Sequence, residues 1–97
     1  MKRSAIKETV IKREIREAEG ATYSYALIMS ESKKVASYKI PLYSIGIEMV
    51  DAYGNETSAQ TSDLFADVGK AIVFYRRMID NLVTPLNLPY IIEDEMQ

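Results

Sequence analysis

The sequence contains neither cysteine nor histidine, and each absence excludes a kind of chemistry. Without cysteine there is no disulfide framework and no thiolate nucleophile. Without histidine, the chain lacks the commonest metal ligand and the side chain that most readily transfers protons near neutral pH. We therefore expect a non-enzymatic protein with no metal site, no cofactor and no small-molecule substrate.

Long apolar runs are also missing. No stretch approaches the ~20 apolar residues of a membrane span. The N-terminal sequence "MKRSAIKETVIKREIRE" is basic but lacks the apolar run of a signal peptide. These features predict a cytoplasmic protein that has no membrane partner.

Neither sign of charge dominates, since the formal net charge is −2. The charge is nevertheless uneven: residues 1–48 carry nine Lys/Arg and six Asp/Glu, whereas residues 49–97 carry three and eight. Such a polarity either orients a partner or a second copy, or is neutralised within one fold, and the sequence leaves both open. A pI near 5.1 argues against a general nucleic-acid binder.

The composition, 47% hydrophobic and 27% charged, is typical of one globular domain spanning residues 1–97. Alternating apolar residues predict strands at about 5–17, 22–30, 35–40 and 42–50. The first of these segments also fits a helical spacing; we favour a strand because "EAEGAT" then becomes a hairpin turn. The last two are separated at Pro41, which has no amide hydrogen for a sheet.

A helix is predicted over about 62–83, with Ser62 as its N-cap and Thr84-Pro85 after its end. The segment "DAYGNETSAQTS" before it predicts a surface loop, and residues 85–97 predict an extended tail. The predicted core face of the helix consists of Leu64, Val68, Ala71, Ile72, Tyr75, Ile79 and Leu82. The predicted class is α+β: an antiparallel meander of three or four strands packed against one long C-terminal helix, with an extended C-terminal tail.

The outer face of that helix is the first candidate for binding a protein. Ala66, Gly69 and Val73 form a small apolar strip nearly opposite the core face, with Arg76 and Arg77 beside it. Glycine costs roughly 1 kcal/mol relative to alanine inside a helix, and small residues permit close approach of another element. The alternative is that these are scattered surface residues without a function.

The tail is the second candidate. Its β-prone residues Tyr90, Ile91 and Ile92 predict that it pairs with its own sheet, pairs with a partner's sheet edge, or stays loose. We therefore expect a protein-protein interaction or regulatory module, a homodimer that binds itself, another protein, or both.

A nucleic-acid-binding regulator is the rival class. Exposed tyrosines on a sheet stack on bases, and lysines nearby contact phosphates. The residues in question are Tyr23, Tyr25, Tyr38, Lys33, Lys34 and Lys39. Packing of the tyrosines is the competing explanation, and few cations accompany them, so nucleic acid is the less favoured partner.

Four stretches together carry a resemblance: "YSYALIMSES", "LYSIGIEMVDAYG", "DLFADVGKAIVFYRRMIDNLVTP" and "LPYIIEDE". From about Thr22 to Glu95 the chain resembles a family of small uncharacterised proteins of clostridia-like Firmicutes, a domain of unknown function. The resemblance implies a bacterial cytoplasmic protein with a sporulation-associated or regulatory role and no established enzymatic activity. It assigns no active-site or ligand-binding residue.

Overall fold

The computed structural model of this chain describes residues 8–35, 38–61 and 64–95. Predictions that concern residues 5–7, 36–37, 62–63 and 96–97 lie outside these described residues. Four antiparallel strands form one sheet in the order β1-β2-β3-β4, and two helices follow. The elements are β1 Glu8–Ala18, β2 Ala21–Val35, β3 Tyr38–Val50, β4 Glu56–Gln60, α1 Val68–Asp80 and α2 Leu88–Glu95. The predicted α+β class with an antiparallel meander is confirmed, whereas the single long helix and the extended tail are wrong.

The first segment is a strand, as its hairpin turn indicated. Glu19 and Gly20 form a two-residue turn with φ of 53° and 81°. Both values lie in the left-handed region, as in the type I′ turn that matches the twist of the strands it joins. A register shift between Val10 and Lys12 marks a β-bulge. The bulge interrupts the alternation of apolar residues, which is why a helical spacing fitted the same segment.

Strand β3 runs through Pro41 without a break, so the predicted separation of 35–40 from 42–50 is wrong. The N–H of Tyr43 donates to Phe65 O at 2.7 Å, on the β4 side of β3. Backbone groups alternate in direction along a strand, so the nitrogen of Pro41, two residues earlier, faces the same side. Strand β4 does not reach that point. The missing N–H therefore removes no hydrogen bond from the sheet.

Strand β4 occupies part of the segment that the sequence predicts as a surface loop. The loop before it closes on Asp51, whose carboxylate accepts the Asn55 N–H at 2.9 Å and the Asn55 side-chain amide at 3.1 Å. These bonds lower the pKa of Asp51 below its usual 3.8, and the bond from the Asn55 backbone has the largest effect. The closed loop returns the chain beside β3, where Ala59 packs against the core. A strand forms there although most of its residues are small and polar.

Helix α1 begins at Val68, later than the sequence predicts, and the expected N-cap Ser62 lies outside the described residues. Phe65 forms a bridge to β3, so the chain is still extended at that point. The N-cap is Asp67, whose carboxylate accepts the N–H of Gly69 at 2.7 Å. Because this carboxylate satisfies a donor that has no partner inside the helix, the helix begins here.

Helix α1 ends at Asp80, so the predicted span 62–83 is too long at both ends. Leu82 follows in the left-handed conformation with φ of 49°. The N–H of Val83 then donates back to Met78 O at 3.0 Å. This is a Schellman motif, in which glycine usually occupies the left-handed position. Leucine there carries a conformational cost that glycine would avoid.

The C-terminal segment is not the extended tail predicted for 85–97 but contains helix α2. Thr84 precedes the helix and its carbonyl accepts the N–H of Asn87 at 3.1 Å. Pro85 lies in this turn and Pro89 in the first turn of the helix. Amides at a helix N-terminus have no carbonyl to bond within the helix, so proline is tolerated there. The prolines therefore stand where a helix starts, and they do not hold the chain extended.

Both helices lie on one face of the sheet, and the core lies between the helices and the sheet. Phe74 and Met78 of α1 are buried, although the predicted core face omits them, while Val68 and Leu82 are more than a third exposed. Val68 is exposed because the helix has only just begun, and Leu82 because it belongs to the C-cap. Among the described elements, none packs on the opposite face of the sheet, although Ala26, Ile28 and Ser44 on that face are buried. The cluster of buried core residues contains Tyr25, Leu27, Tyr43, Ile45, Ile47, Ala71, Phe74, Tyr75, Met78, Ile79, Val83 and Leu88.

Two buried hydroxyl groups connect the layers. Tyr25 of β2 donates its O–H to Val83 O at 3.0 Å, and Tyr75 of α1 donates to Tyr25 O at 3.3 Å. Burial is the main reason that the pKa of Tyr25 rises to about 12, and it also raises the pKa of Tyr75. The first bond ties the segment before α2 to the centre of the sheet.

Candidate functional site

Three of the predicted strip residues meet in one groove, which we call the helix groove. Gly69, Val73 and Arg77 lie along it, and its volume is about 690 Å³. Val73 is 60% exposed, as expected for the outer face of α1. The remaining lining residues are Leu64, Phe65, Asp67, Lys70, Phe74 and Glu95.

Gly69 has a local explanation in this groove. A Cβ built at this position would lie 3.2 Å from Asp67 Oδ1, the oxygen that accepts the Gly69 N–H. That separation is tighter than ordinary van der Waals contact, so a larger residue would disturb the N-cap. The glycine therefore serves the start of the helix and gives no support of its own to a partner.

The two arginines of the strip point to different neighbours. Arg77 pairs with Glu95 of α2 at 3.2 Å and lies over the Phe74 ring, 5.6 Å from its centroid. Arg76 pairs with Glu14 of β1 at 3.4 Å, on another side of the helix. The structure thus joins Arg77 to the helix groove and separates Arg76 from it. Ala66 precedes α1 and is exposed, but it does not line the groove.

A second groove, the edge groove, lies between α2 and β4. Its volume is about 900 Å³, and it is lined by Ser58, Ala59, Pro85, Leu86, Pro89, Tyr90, Ile92 and Glu93. Leu86 and Tyr90 are 72% and 69% exposed, which is high for large apolar side chains in one cluster. Ile91 and Ile92 are half-buried, and both pack against the core. Of the predicted tail residues, Tyr90 and Ile92 therefore line the groove, and both isoleucines also belong to the fold.

Sequence reasoning missed Leu86 and both prolines of this groove. The signal was present in the spacing of Leu88, Ile91 and Ile92, three and four residues apart, which is typical of one helix face. A helix with that buried face turns Tyr90 outward. The prolines also suggest extended chain, and they are instead located at the start of a helix.

The edge groove borders a free sheet edge at β4. Thr61 donates its N–H to Ile45 O at 3.0 Å, in line with the pairing of β4 to β3. Since partners alternate along an antiparallel strand, the backbone N–H and C=O groups of Glu56, Ser58 and Gln60 point away from β3. Within the part of the chain that the structure describes, nothing hydrogen-bonds to these outward groups. An apolar groove and a row of free backbone groups therefore lie side by side.

The family comparison points to the same uncharacterised class as the resemblance did. A model of a family of unknown function (DUF6514) matches residues 6–97 of this chain. The chain belongs to this family. No curated protein and no solved structure matches it. Membership in the DUF6514 family therefore supplies no residue roles, and any function has to be argued from the geometry.

For a DUF6514 member, the uncovered sheet face is a further surface to consider. A shallow trough of about 360 Å³ crosses it, where Arg13 donates to Ser24 Oγ at 3.1 Å. Glu48 and Gln60 also line the trough. Across residues 8–35, 38–61 and 64–95, no three acidic side chains come together in a way that would hold a metal ion. The trough thus places the Arg13 guanidinium and the Glu48 carboxylate beside the hydroxyl groups of Ser24 and Ser58.

Of the tyrosines predicted to stack on bases, Tyr25 is not available for that role. The rings of Tyr23 and Tyr25 are parallel, with centroids 6.2 Å apart, but Tyr25 is fully buried beneath the helices. Nucleic acid cannot reach that ring in the folded chain. The side chains of Tyr38, Lys33, Lys34 and Lys39 lie outside the described ones.

In the described helices there is no segment long and apolar enough to cross a membrane.

Proposed function

We propose that this chain is a non-enzymatic protein-protein interaction module whose contact surface is the edge groove together with the β4 edge. The observation that carries the proposal is the exposure of Leu86 and Tyr90, 72% and 69%, within one groove beside unpaired backbone groups. Clustered apolar side chains on a small protein mark surfaces that other macromolecules cover. Tyrosine in particular is enriched at such interfaces.

The helix groove is the weaker surface. Gly69 is accounted for by the N-cap, and Arg77 by its contacts with Phe74 and Glu95. Val73 then remains as one exposed apolar residue, which is ordinary on a soluble protein. We therefore assign the principal contact to the edge groove.

The biological setting of the proposal comes from the sequence. As part of this proposal, we expect the protein to act in the cytoplasm. The resemblance to proteins of clostridia-like Firmicutes supports a bacterial regulatory role, with sporulation as the process to test first. Homodimerisation fits the same surface, because a free strand edge pairs with an identical edge.

Site-specific photo-crosslinking in the native host tests the contact surface. A photoreactive phenylalanine analogue is placed at Leu86, at Tyr90 or, as the matched control, at Tyr53. Tyr53 is 91% exposed in the loop before β4 and lies outside both grooves. We expect protein adducts from positions 86 and 90 and few from position 53. Equal labelling at all three positions, or no adduct at 86 and 90, would contradict the proposal.

A further inference from the structure

The outward groups of β4 match a second copy of the same strand. Glu56, Ser58 and Gln60 are the three residues whose N–H and C=O groups face away from β3. In an antiparallel pair of two β4 strands, these residues all find partners only when Ser58 faces Ser58 of the other copy. Glu56 then faces Gln60 twice, and on the order of six backbone hydrogen bonds form. Other registers leave outward groups unpaired.

The side chains agree with that register. Glu56 and Gln60 project from the uncovered face of the sheet, so each carboxylate meets a side-chain amide across the pair. The alternative centred on Glu56 would place two carboxylates opposite each other, which is destabilising. In the register centred on Ser58, the directly opposite pairs are hydroxyl with hydroxyl and carboxylate with amide. The charge pattern of β4 is therefore compatible with self-pairing.

The edge groove supplies the apolar contact that a five-residue strand lacks. An antiparallel pair of identical strands is related by a two-fold axis perpendicular to the sheet, so both α2 helices lie on the same side of the joined sheet. Leu86 and Tyr90 of each copy then face the axis beside the groove of the other. Backbone pairing of a short strand alone is a small interface, whereas specific dimers bury about 1,600 Å² in total. The exposed apolar cluster adds to the buried area where it is needed.

The other edge of the sheet is unsuited to the same role. Strand β1 carries a bulge between Val10 and Lys12 and six charged residues among its eleven. Bulges and charges are the devices that keep a sheet edge from pairing with another chain. Strand β4 has neither bulge nor lysine, and its single charge is Glu56. Self-association through the sheet is thus directed to β4.

We propose that the occupant of the edge groove and β4 edge is a second copy of this chain, joined by antiparallel β4-β4 pairing centred on Ser58. The two sheets become one continuous eight-stranded sheet, with Leu86 and Tyr90 of both copies packed around the two-fold axis. This inference rests on the proposed function, since it names the partner of that same surface.

Sedimentation equilibrium of the full chain, from about 1 μM to about 1 mM, tests the inference. We expect the mass to rise with concentration toward twice the 11.0 kDa of one chain. Gln60→Glu places a carboxylate opposite Glu56 in both symmetric pairs and is expected to weaken the dimer roughly tenfold. The double variant Glu56→Lys with Gln60→Glu places an ammonium group opposite a carboxylate and is expected to restore it. Within one copy these two side chains lie four residues apart along the strand, so their direct contact does not explain a rescue.

Two further variants keep the test decisive. Thr9→Glu makes the same neutral-to-acidic change on exposed β1 and should leave the dissociation constant unchanged. Ser58→Lys sets two ammonium groups against each other at the axis and serves if Gln60→Glu fails to fold, as judged by circular dichroism. Dimerisation that survives both β4 substitutions, or a folded double variant that stays weak, overturns the inference.

The failure of this inference differs from the failure of the proposed function. A chain that remains at the mass of one copy throughout, but crosslinks from position 86 to a different protein, removes the second copy as occupant and leaves the interaction module standing. A chain that stays monomeric and gives no adducts contradicts both the self-pairing inference and the proposed interaction module. A self-adduct of two chains from position 86, together with the rescue by the double variant, supports both.

Discussion

The two edges of the sheet differ in nearly every respect that governs pairing with another chain. Strand β1 is long, bulged and charged, with six charged residues in eleven, and its Glu14 pairs with Arg16 at 2.9 Å and with Arg76 at 3.4 Å. Strand β4 has five residues and one charge, and it borders the apolar edge groove. The charged residues of β1 oppose pairing of that sheet edge with another chain, whereas the pairing of β4 is limited only by the length of the strand. Helix α2 forms the other wall of that groove, and its packing on the core can be broken.

The largest expected effect comes from releasing α2 from the core. Leu88 is 1% exposed and is the residue of α2 that the core buries most completely. Leu88→Ala should lower the free energy of unfolding by about 2–5 kcal/mol, since it removes buried contacts and leaves a cavity. Urea denaturation measures the loss. Leu86→Ala is the matched control and should change stability by less than about 0.5 kcal/mol, because Leu86 is exposed. If the two variants cost the same, α2 is not anchored through Leu88.

The next effect concerns the hydrogen bond that ties the start of α2 to the sheet. Tyr25→Phe removes the O–H that donates to Val83 O at 3.0 Å and leaves that buried carbonyl without a side-chain donor. The free energy of unfolding should fall by about 1–3 kcal/mol in chemical denaturation. Tyr90→Phe, the matched change on an exposed ring, should be nearly neutral. A neutral Tyr25→Phe would show that water replaces the lost bond.

The same tyrosine predicts a pH dependence. Its pKa is raised to about 12 in the folded chain, mainly by burial, against 10.0 for an unperturbed tyrosine. The folded state therefore keeps the proton that the unfolded state loses, so this contribution to stability is complete below pH 10 and is lost as the pH rises toward 12. Tyr25→Phe should make the decline in stability over that window shallower. A decline of unchanged slope would contradict the assignment to Tyr25; Tyr75, whose pKa is also raised, should account for part of what remains.

A smaller effect of opposite sign is expected at the end of α1. Leu82 adopts φ of 49°, where a side chain crowds the backbone and glycine does not. Leu82→Gly should raise the free energy of unfolding by about 0.5–1 kcal/mol, because the relief of strain exceeds the loss of a partly exposed side chain. Val73→Gly, inside α1 and exposed, is the control and should lower stability by about 1 kcal/mol. Both are read from thermal or urea unfolding. If both variants lower the free energy of unfolding, the Leu82 side chain stabilises the fold by more than its left-handed conformation costs.

Particular residues explain how far the sequence predicts this fold. Alternation in β2 and β3 and the Glu19-Gly20 turn predicted the antiparallel meander, because these signals are local. The sequence could not show that β3 has no neighbouring strand on its β4 side at Pro41, since that depends on how far β4 extends. Nor could it show that β4 forms, because its small polar residues depend on the Asp51 loop to bring them beside β3.

The candidate site was predicted in part for the same reason. The exposure of Val73 follows from helical periodicity, as the sequence predicts. The exposure of Tyr90 depends on helix α2, which the sequence analysis did not predict. The groove containing Leu86 depends on α2 packing beside β4, a tertiary contact that no local pattern encodes. Gly69 shows the converse: a residue that suggested a partner is explained by its contact with Asp67 two positions away.

The smallest effect on stability is expected at the β1 edge of the sheet. Glu14→Gln removes the carboxylate that pairs with Arg16 and Arg76, whose side chains are 46% and 53% exposed. Exposed ion pairs contribute little, so the free energy of unfolding should fall by less than about 1 kcal/mol, and by still less when salt is added. A loss as large as that of Tyr25→Phe would mean that these charges hold α1 to β1. A small loss means that folding does not explain the charge on β1. Its remaining physical role is then at the edge itself, where it opposes pairing that β4 leaves open.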